Sequence, residues 1–415
     1  MMRKLFAGIA LLCAFATASF GQDKKVNYNV YGFFSNYGYY DSHVSLQSND
    51  GIFNIMPTDR ALDAEGRDIN AVGTTRLLSI TTRLGLDITP DEEVFDALPL
   101  IKIETDFCGY SGSVTMLRIR QAFLKLNWDF CSALLGQTWH PMAGDLKPDV
   151  FSLGTGSPFN PFNRSPQIRF DYRPNDCLTA SAAAIWQFQY SSVGMNGTVS
   201  PNMSRKAIVP ELYAGINYVM DNYSFGAGAD FLTIKPTDNV VDAEGGLHKV
   251  NSHCSGLNLL AQGCYMLDEL TLKGKVVYGQ NTSHLLQPSG YGVTYSDGKT
   301  ISFAPLHNVS SWITATYGEE LKYCMMLGYF KNLGSAGDDF IGNVVMYGNH
   351  AGCPSALDNL FRVNPFVTYR IGPMTLCAEY EWTCAAYGTM YRSGRVSDTH
   401  PVSNHRVGFL VKYEF

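Results

Sequence analysis

Residues 115–142 read TMLRIRQAFLKLNWDFCSALLGQTWHPM, and the fold assignment depends on this stretch. Side chains on a β-strand alternate between its two faces. The alternation predicts one face made of Leu117, Ile119, Gln121 and Phe123, and a second made of Arg118, Arg120, Ala122 and Leu124. The short turn at 129–131 leads into a second strand at 132–142. We therefore predict a β-hairpin whose two faces suit lipid and water, although a soluble sandwich shows the same alternation.

The N-terminus is typical of a secretory signal peptide. Arg3 and Lys4 precede an apolar segment at residues 5–16, and Ser19 and Gly21 supply small residues before a cleavage point. The apolar segment is too short for a membrane anchor, which needs about 20 residues. We therefore interpret residues 1–21 as a cleaved signal peptide and residues 22–415 as one exported domain.

The composition favours strands and tight turns. The chain has 39 Gly, 24 Tyr and 24 Phe residues, which is a high content for a helical protein. Mean hydropathy is −0.07, which is ordinary for a soluble protein and is also what a barrel gives when one residue faces lipid and the next faces water. No segment after the signal peptide reaches 18 uninterrupted apolar residues, so we predict no transmembrane helix.

Period-2 patterns predict sixteen strands in the mature chain. They are placed at 26–42, 76–90, 98–109, 115–128, 132–142, 167–174, 177–194, 208–221, 223–235, 255–268, 270–281, 309–318, 321–334, 360–373, 374–388 and 404–415. Short turns alternate with mostly long connections, among them 43–75, 143–166 and 389–403. This alternation is typical of bacterial outer-membrane proteins and predicts an all-β fold, a closed antiparallel transmembrane β-barrel with both termini on the periplasmic side.

The last strand supports the same prediction. Its lipid-facing set would be Val407, Phe409, Val411, Tyr413 and Phe415. In the strand at 76–90 the corresponding set would be Leu78, Ile80, Leu84, Leu86 and Ile88. A final strand that ends in Phe415 resembles the signal that the barrel-assembly machinery recognises in outer-membrane proteins. This resemblance implies an assembly role for Phe415.

The motifs RIRQAFLKL at 118–126, LLGQTW at 134–139 and QIRF at 167–170 resemble the DcaP-like and related sixteen-stranded trimeric porins. In those proteins the hairpin leads into a third extracellular loop that folds into the pore. The resemblance implies a homotrimer in the outer membrane that passes small hydrophilic, often anionic, solutes. Some members carry a long N-terminal coiled coil, for which the sequence before the first predicted strand shows no pattern. The many cysteines also depart from the family pattern.

Charged residues at inward positions predict a pore constriction. The basic wall would contain Arg83, Lys102, Arg118, Arg120, Arg169 and Arg173, with Glu104 beside them. The connection at 143–166 carries Asp145 and Asp149, which would oppose this wall if the loop folds inward. Opposed charges in a narrow pore create a transverse field that selects and orients solutes. The alternative interpretation is that these charges are a solvated face.

Other chemistry is scarce in the sequence. The nine histidines lie mostly in predicted loops without metal-ligand spacing, and the carboxylates include no obvious buried pair, so we expect no metal and no cofactor. Nine of the ten cysteines follow the signal peptide, with no C-x-x-C pair; a Cys254–Cys353 disulfide between loops is one option. The net charge of −6 and the export signal argue against nucleic-acid binding.

We therefore predict a passive diffusion porin and not an enzyme. Its partners would be outer-membrane lipid, small solutes, two further copies of the chain and the barrel-assembly machinery. Two alternatives remain: a barrel enzyme of the outer membrane, and a structural or adhesive barrel without an open channel. A conductance measurement separates the porin from both.

Overall fold

The computed structural model describes residues 25–48, 51–111, 114–151, 155–337, 339–342, 344–348 and 355–415. The predicted signal peptide and Cys353 lie outside these residues, so the optional Cys254–Cys353 disulfide also lies outside them. No helix in the described part of the chain has the length and apolar character needed to cross a membrane.

The predicted barrel is confirmed. One sheet contains 17 strand segments, and two of them form a single interrupted barrel strand, which leaves sixteen. The strands, labelled β1 to β16, are Val26–Asp41, Thr74–Leu78 with Arg83–Pro90, Leu98–Ser111, Val114–Asn127, Cys131–Trp139, Arg164–Tyr172, Leu178–Ile185, Glu211–Val219, Tyr223–Ile234, Cys254–Leu267, Leu270–Gln280, His307–Tyr317, Leu321–Gly334, Ala356–Ile371, Met374–Met390 and Val396–Glu414. Each pairs antiparallel with its neighbours, and β1 closes the barrel by pairing with both β2 and β16.

Some predicted boundaries are wrong. The strand expected at 177–194 ends at Ile185, and the connection that follows contains the short helix Asn202–Ala207. The long connection expected at 389–403 is mostly strand, because β15 and β16 continue their pairing as far as Met390 and Val396. Other connections form small sheets at the same end of the barrel: Ser45–Ser48 with Phe53–Pro57, Asn239–Val241 with Leu247–Lys249, and Gly290–Ser296 with Ile301–Pro305 and Val344–Met346.

Alternation along the strands places apolar side chains outside. On β16, Val407, Phe409, Tyr413 and the terminal Phe415 are exposed, whereas Arg406 is buried inside. On β8 the outward side chains are Leu212, Ile216 and Tyr218. An outer surface of aliphatic and aromatic side chains suits the hydrocarbon region of a membrane.

Two bulges change the predicted faces. The first bulge lies in β4, where it pairs with β3. Glu104 of β3 pairs with Gln121 of β4, and the next residue, Thr105, pairs with Ile119, so Arg120 is an extra residue in β4. A bulge shifts the alternation by one residue. Gln121 and Phe123 consequently line the lumen together with Lys125, instead of sharing the lipid face with Leu117 and Ile119.

The second bulge lies in β2. Four residues of β2, 79–82, lie opposite three residues of β1, 34–36. Leu77 and Leu84 both face outward as a result, while Leu78 and Ile80 pack against the core inside the barrel. The prediction that Leu78, Ile80 and Leu84 share a lipid face is therefore wrong for the first two.

A hydrophobic core fills part of the lumen. It joins Ile52, Phe53, Ile55 and Met56 of the first connection to Phe159 and Phe162 of the connection between β5 and β6, and packs them on the barrel wall formed by β12 to β16. The connection between β5 and β6 is the third at its end of the barrel and is called the third connection. The first connection, residues 42–73, therefore folds inward as well, which the sequence analysis did not anticipate. The predicted inward fold of the third connection is confirmed.

Candidate functional site

The third connection, residues 140–163, narrows the lumen and is fixed to the wall at several points. The Lys275 ammonium group donates to the Ala143 carbonyl (2.6 Å), and the Trp312 indole donates to the Asn160 side chain (3.0 Å). Lys273 forms an ion pair with Asp149 (2.6 Å). We call this connection the constriction loop.

Two carboxylates from β3 organise the arginines of the facing strand. Asp106 forms ion pairs with Arg118 (2.7 Å) and Arg120 (2.9 Å), and Glu104 with Arg120 (2.8 Å). Arg83 of β2 lies 3.8 Å from Glu104. The bulge at Arg120 brings this arginine close to both acids, because it adds a residue between the paired positions. A carboxylate between two guanidinium groups holds both side chains in place.

Arg164, a residue that the sequence analysis did not select, extends this group. It is the first residue of β6, and its side chain is fully buried. Its guanidinium lies 4.9 Å from the Trp139 ring, and the Tyr190 hydroxyl accepts hydrogen bonds from Arg164 (3.2 Å) and Arg118 (3.1 Å). The Nε and Nη1 atoms of Arg164 have no hydrogen-bond partner. The R-S-P-Q-I-R pattern of 164–169 places two arginines on one strand, but alternation assigns them to opposite faces.

Lys147 of the constriction loop approaches the same group. Its ammonium nitrogen lies 3.7 Å from the centre of the Trp139 ring. Burial lowers the pKa of Lys147 to about 8, and Arg120 and Arg164 nearby act in the same direction. We call Arg83, Arg118, Arg120, Arg164 and Lys147, with Glu104 and Asp106, the cationic cluster. Its five basic groups outnumber its two acids.

A cavity of about 400 Å³ lies beside the constriction loop. Its charged lining residues are Lys125, Asp145, Arg169, Asp171 and Arg173. Arg169 forms an ion pair with Asp171 (2.7 Å), and Asp145 lies within electrostatic range of Arg169. Asp145 therefore faces basic residues of the wall.

The remaining selected residues have contacts outside the cationic cluster. Lys102 forms an ion pair with Asp87 (2.6 Å) and donates to the Tyr31 hydroxyl. Arg173 donates to the carbonyls of Trp128 and Cys131, so it stabilises the turn between β4 and β5. Asp149 contacts Lys273 and not the arginines of β4. Phe415 bonds through its backbone to Gly32 of β1.

Tertiary packing also creates a polar cluster that the sequence did not reveal. His140, Glu211 and His284 are fully buried and in mutual contact, although they come from three separate segments. The carboxyl group of Asp230 lies beside Glu211. The expectation of no buried carboxylate pair is therefore wrong, because neighbouring strands bring together acids that are distant in sequence.

Solved structures that share this fold include three outer-membrane proteins. The outer membrane channel DcaP of Acinetobacter baumannii has a TM-score of 0.69 at 21% identity, covering 94% of this chain and 97% of that one. The anion-selective porin from Comamonas acidovorans has a TM-score of 0.56 at 11% identity, covering 94% and 100%. Outer-membrane expressed OmpT of Vibrio cholerae has a TM-score of 0.53 at 11% identity, covering 95% and 99%. No protein-family model and no curated protein matches the sequence. The chain is thus a porin-type barrel.

Proposed function

We propose that this protein is an outer-membrane porin through which small hydrophilic solutes diffuse, with a preference for anions at the constriction. The observation that carries the proposal is the cationic cluster beside the inward-folded loop. Arginine remains charged at physiological pH, and its guanidinium group presents several donors at fixed angles to carboxylate or phosphate groups. Local field acts on a solute in the pore, so a basic constriction attracts anions even though the whole chain has a net charge of −6.

The cavity beside the constriction loop supports the same proposal. Three of its charged lining residues are basic (Lys125, Arg169 and Arg173) and two are acidic (Asp145 and Asp171). An anion that passes the cationic cluster would therefore meet further basic groups. The names of two proteins with this fold, an outer membrane channel and an anion-selective porin, agree with a transport role.

One observation favours a second candidate, a barrel without an open channel. The core formed by the first connection and the constriction loop occupies the side of the lumen that β12 to β16 enclose. In this alternative the inward loops serve stability or adhesion, and the cationic cluster is a buried electrostatic network.

Planar-bilayer recording of the purified protein separates the two candidates. A porin gives discrete conductance steps, and in a salt gradient its reversal potential shifts toward the anion equilibrium potential. A closed barrel gives no steps although it inserts and migrates as a folded protein. A reversal potential on the cation side would retain the porin assignment and reject anion preference.

The proposal includes the assembly and location expected from the sequence. Three copies would associate through their apolar outer walls, since the structure of the Vibrio cholerae protein includes a trimer form. The outer membrane would hold the barrel by its exposed aliphatic and aromatic side chains. Mass measurement of the detergent-solubilised protein tests the trimer, and a monomeric mass would contradict it.

A further inference from the structure

The buried cluster of His140, Glu211 and His284 lies at the base of the constriction loop. His140 follows β5 directly, Glu211 is the first residue of β8, and His284 lies in the 3-10 helix Ser283–Leu285. The Nε2 atoms of His140 and His284 lie 2.9 Å and 2.8 Å from the same Glu211 oxygen, Oε1. One ligand atom from each residue lies within 4.8 Å of the other two. Two imidazoles and a carboxylate thus converge on one point.

The acids in this cluster pair with no arginine or lysine in the part of the chain that the structure describes. Asp230 lies against Glu211, and its Oδ2 accepts from the Asn258 side chain (2.8 Å). The Glu211 Oε2 and Asp230 Oδ1 atoms have no hydrogen-bond partner outside this pair of acids. Within the described residues, histidine supplies the ion-pair contacts of Glu211, and neither acid pairs with Arg or Lys. Buried carboxylates are costly without a compensating positive charge.

We propose that this cluster binds one divalent transition-metal ion with the ligand preference of Zn²⁺. The ligands would be Nε2 of His140, Nε2 of His284 and the Glu211 carboxylate, with the Asp230 carboxylate next to the fourth position. Imidazole nitrogen and carboxylate oxygen are common zinc ligands, and one divalent ion balances two carboxylates. The proposal does not depend on which solute crosses the pore.

The distances are close to those of a zinc site, and His284 can adopt the required tautomer, whereas His140 has to change its tautomer. Ligand atoms about 2.0–2.2 Å from a tetrahedral ion lie roughly 3.3 Å apart, so each histidine Nε2 has to move away from Glu211 Oε1 by about half an ångström. Metal binding requires the proton of each imidazole on Nδ1. In His284, Nδ1 has no partner and can carry it. In His140, Nδ1 accepts from the Met142 N–H (3.1 Å), so metal binding at Nε2 moves the ring proton to Nδ1 and breaks this hydrogen bond.

The ion would fix the base of the constriction loop. The His140 N–H donates to the Asn163 carbonyl (3.0 Å), which joins the two ends of the loop. The Asn163 side chain donates to the His284 carbonyl (3.0 Å), and the Phe162 N–H donates to the Leu285 carbonyl (2.9 Å). The proposed ligands therefore connect both loop ends, the β8 wall and the connection after β11.

Metal analysis of the folded protein tests the proposal. The wild type is refolded in detergent with one equivalent of Zn²⁺, separated from free metal and assayed by mass spectrometry. We expect about one ion per chain, and with Co²⁺ the absorption bands of a four-coordinate nitrogen and oxygen site. His284→Gln and Glu211→Gln should retain less than a tenth of the bound metal. The control His248→Gln should retain all of it, because His248 contacts Asp242 (2.7 Å) on a half-exposed loop.

The wild-type measurement alone decides the outcome if the variants fail to fold. Folded wild-type protein with less than a tenth of an equivalent of metal would overturn the proposal and leave a hydrogen-bonded clamp that shares protons. Full binding by folded His284→Gln would also overturn it, since the metal would then lie elsewhere.

Discussion

At the scale of single residues, Asp106 shows why a basic pore wall contains acids. Arg118 and Arg120 donate to the same carboxylate, which offsets part of their mutual repulsion and orients both guanidinium groups. Arg164 has aromatic rings around it instead of an acid. Cation–π contacts stabilise a buried cation without cancelling its charge. The cluster therefore keeps a positive field while its members stay fixed.

Replacement of both Arg118 and Arg120 by Ala should raise the conductance and shift the reversal potential toward cations, because two bulky cations leave and Asp106 loses its partners. The shift is measured in a salt gradient near 0.01 M, where the Debye length is about 30 Å, and should nearly vanish near 1 M, where it is about 3 Å. Arg67→Ala is the control, since Arg67 is an exposed residue of the first connection. A reversal potential equal to wild type at low salt would remove both arginines from the constriction.

The charge of Lys147 should make anion preference depend on pH. Its pKa is lowered to about 8 by burial, so the ammonium form predominates at pH 6 and is lost as the pH rises to 9. Anion selectivity should therefore decrease over this range. Lys147→Met should be less selective at pH 6 and show little pH dependence, whereas Lys147→Arg should remain selective at pH 9. Equal pH profiles for wild type and Lys147→Met would contradict this assignment.

At the scale of structural elements, Arg362 of β14 joins the two inward-folded connections. It donates to the Asn54 carbonyl of the first connection (2.6 Å) and to the Ser157 carbonyl of the constriction loop (3.0 Å). Glu381 of β15 lies 3.4 Å from Arg362 and accepts from the Asn54 side chain (2.7 Å). The wall, and not only the apolar core, therefore determines where both loops lie.

Arg362→Met should loosen both connections, with a larger mean conductance and more current fluctuation than wild type. The substitution leaves Glu381 without its basic partner, and breaking a buried ion pair costs about 3–5 kcal/mol. The temperature at which the barrel unfolds in detergent should therefore fall. Arg370→Met is the matched control on the same strand. Arg370 is mostly exposed and 3.9 Å from Glu414, and such pairs contribute at most about 1 kcal/mol. Similar effects of the two substitutions would argue against the role of Arg362.

At the scale of the whole molecule, the two ends of the chain close the barrel. β1 pairs with β16 over nine residues, from Phe33 with Glu414 to Asp41 with Arg406. Inside this seam Arg406 and Asp41 form an ion pair (2.7 Å). Phe415 continues the seam through its backbone bonds to Gly32, while the residue as a whole is 60% exposed on the outside. An exposed terminal aromatic contributes little to packing, which leaves it available for recognition.

Deletion of Phe415 should lower the amount of protein in the outer membrane and increase the amount in the periplasm. The expected loss is in assembly, because the deletion removes two backbone hydrogen bonds and little buried area. Fractionation and heat-modifiable gel migration measure both effects. Phe95→Ala is the control, since Phe95 is an exposed aromatic in the turn between β2 and β3. Unchanged membrane yield after the deletion would reject the assembly role.

The sequence determined the features that depend on neighbouring residues. Period-2 alternation and turn residues are local, so they predicted sixteen strands, the alternation of short and long connections and the outward face of β16. They also identified Arg83, Arg118, Arg120 and Glu104 as inward residues, because the alternation between faces continues unbroken within each segment between bulges.

Tertiary structure decided what depends on contacts between distant residues. The bulges at Arg120 and 79–82 each add one residue to a strand, so the residues on the two sides of the bulge alternate out of phase. The extra residue can be recognised only when the strand is compared with the strand that pairs with it. The inward fold of the first connection depends on a core shared with Phe159 and Phe330. His140, Glu211 and His284 meet only after barrel closure brings their segments together. The sequence of a single strand does not show which distant residues will contact it, because burial and pairing are established only when the whole sheet closes.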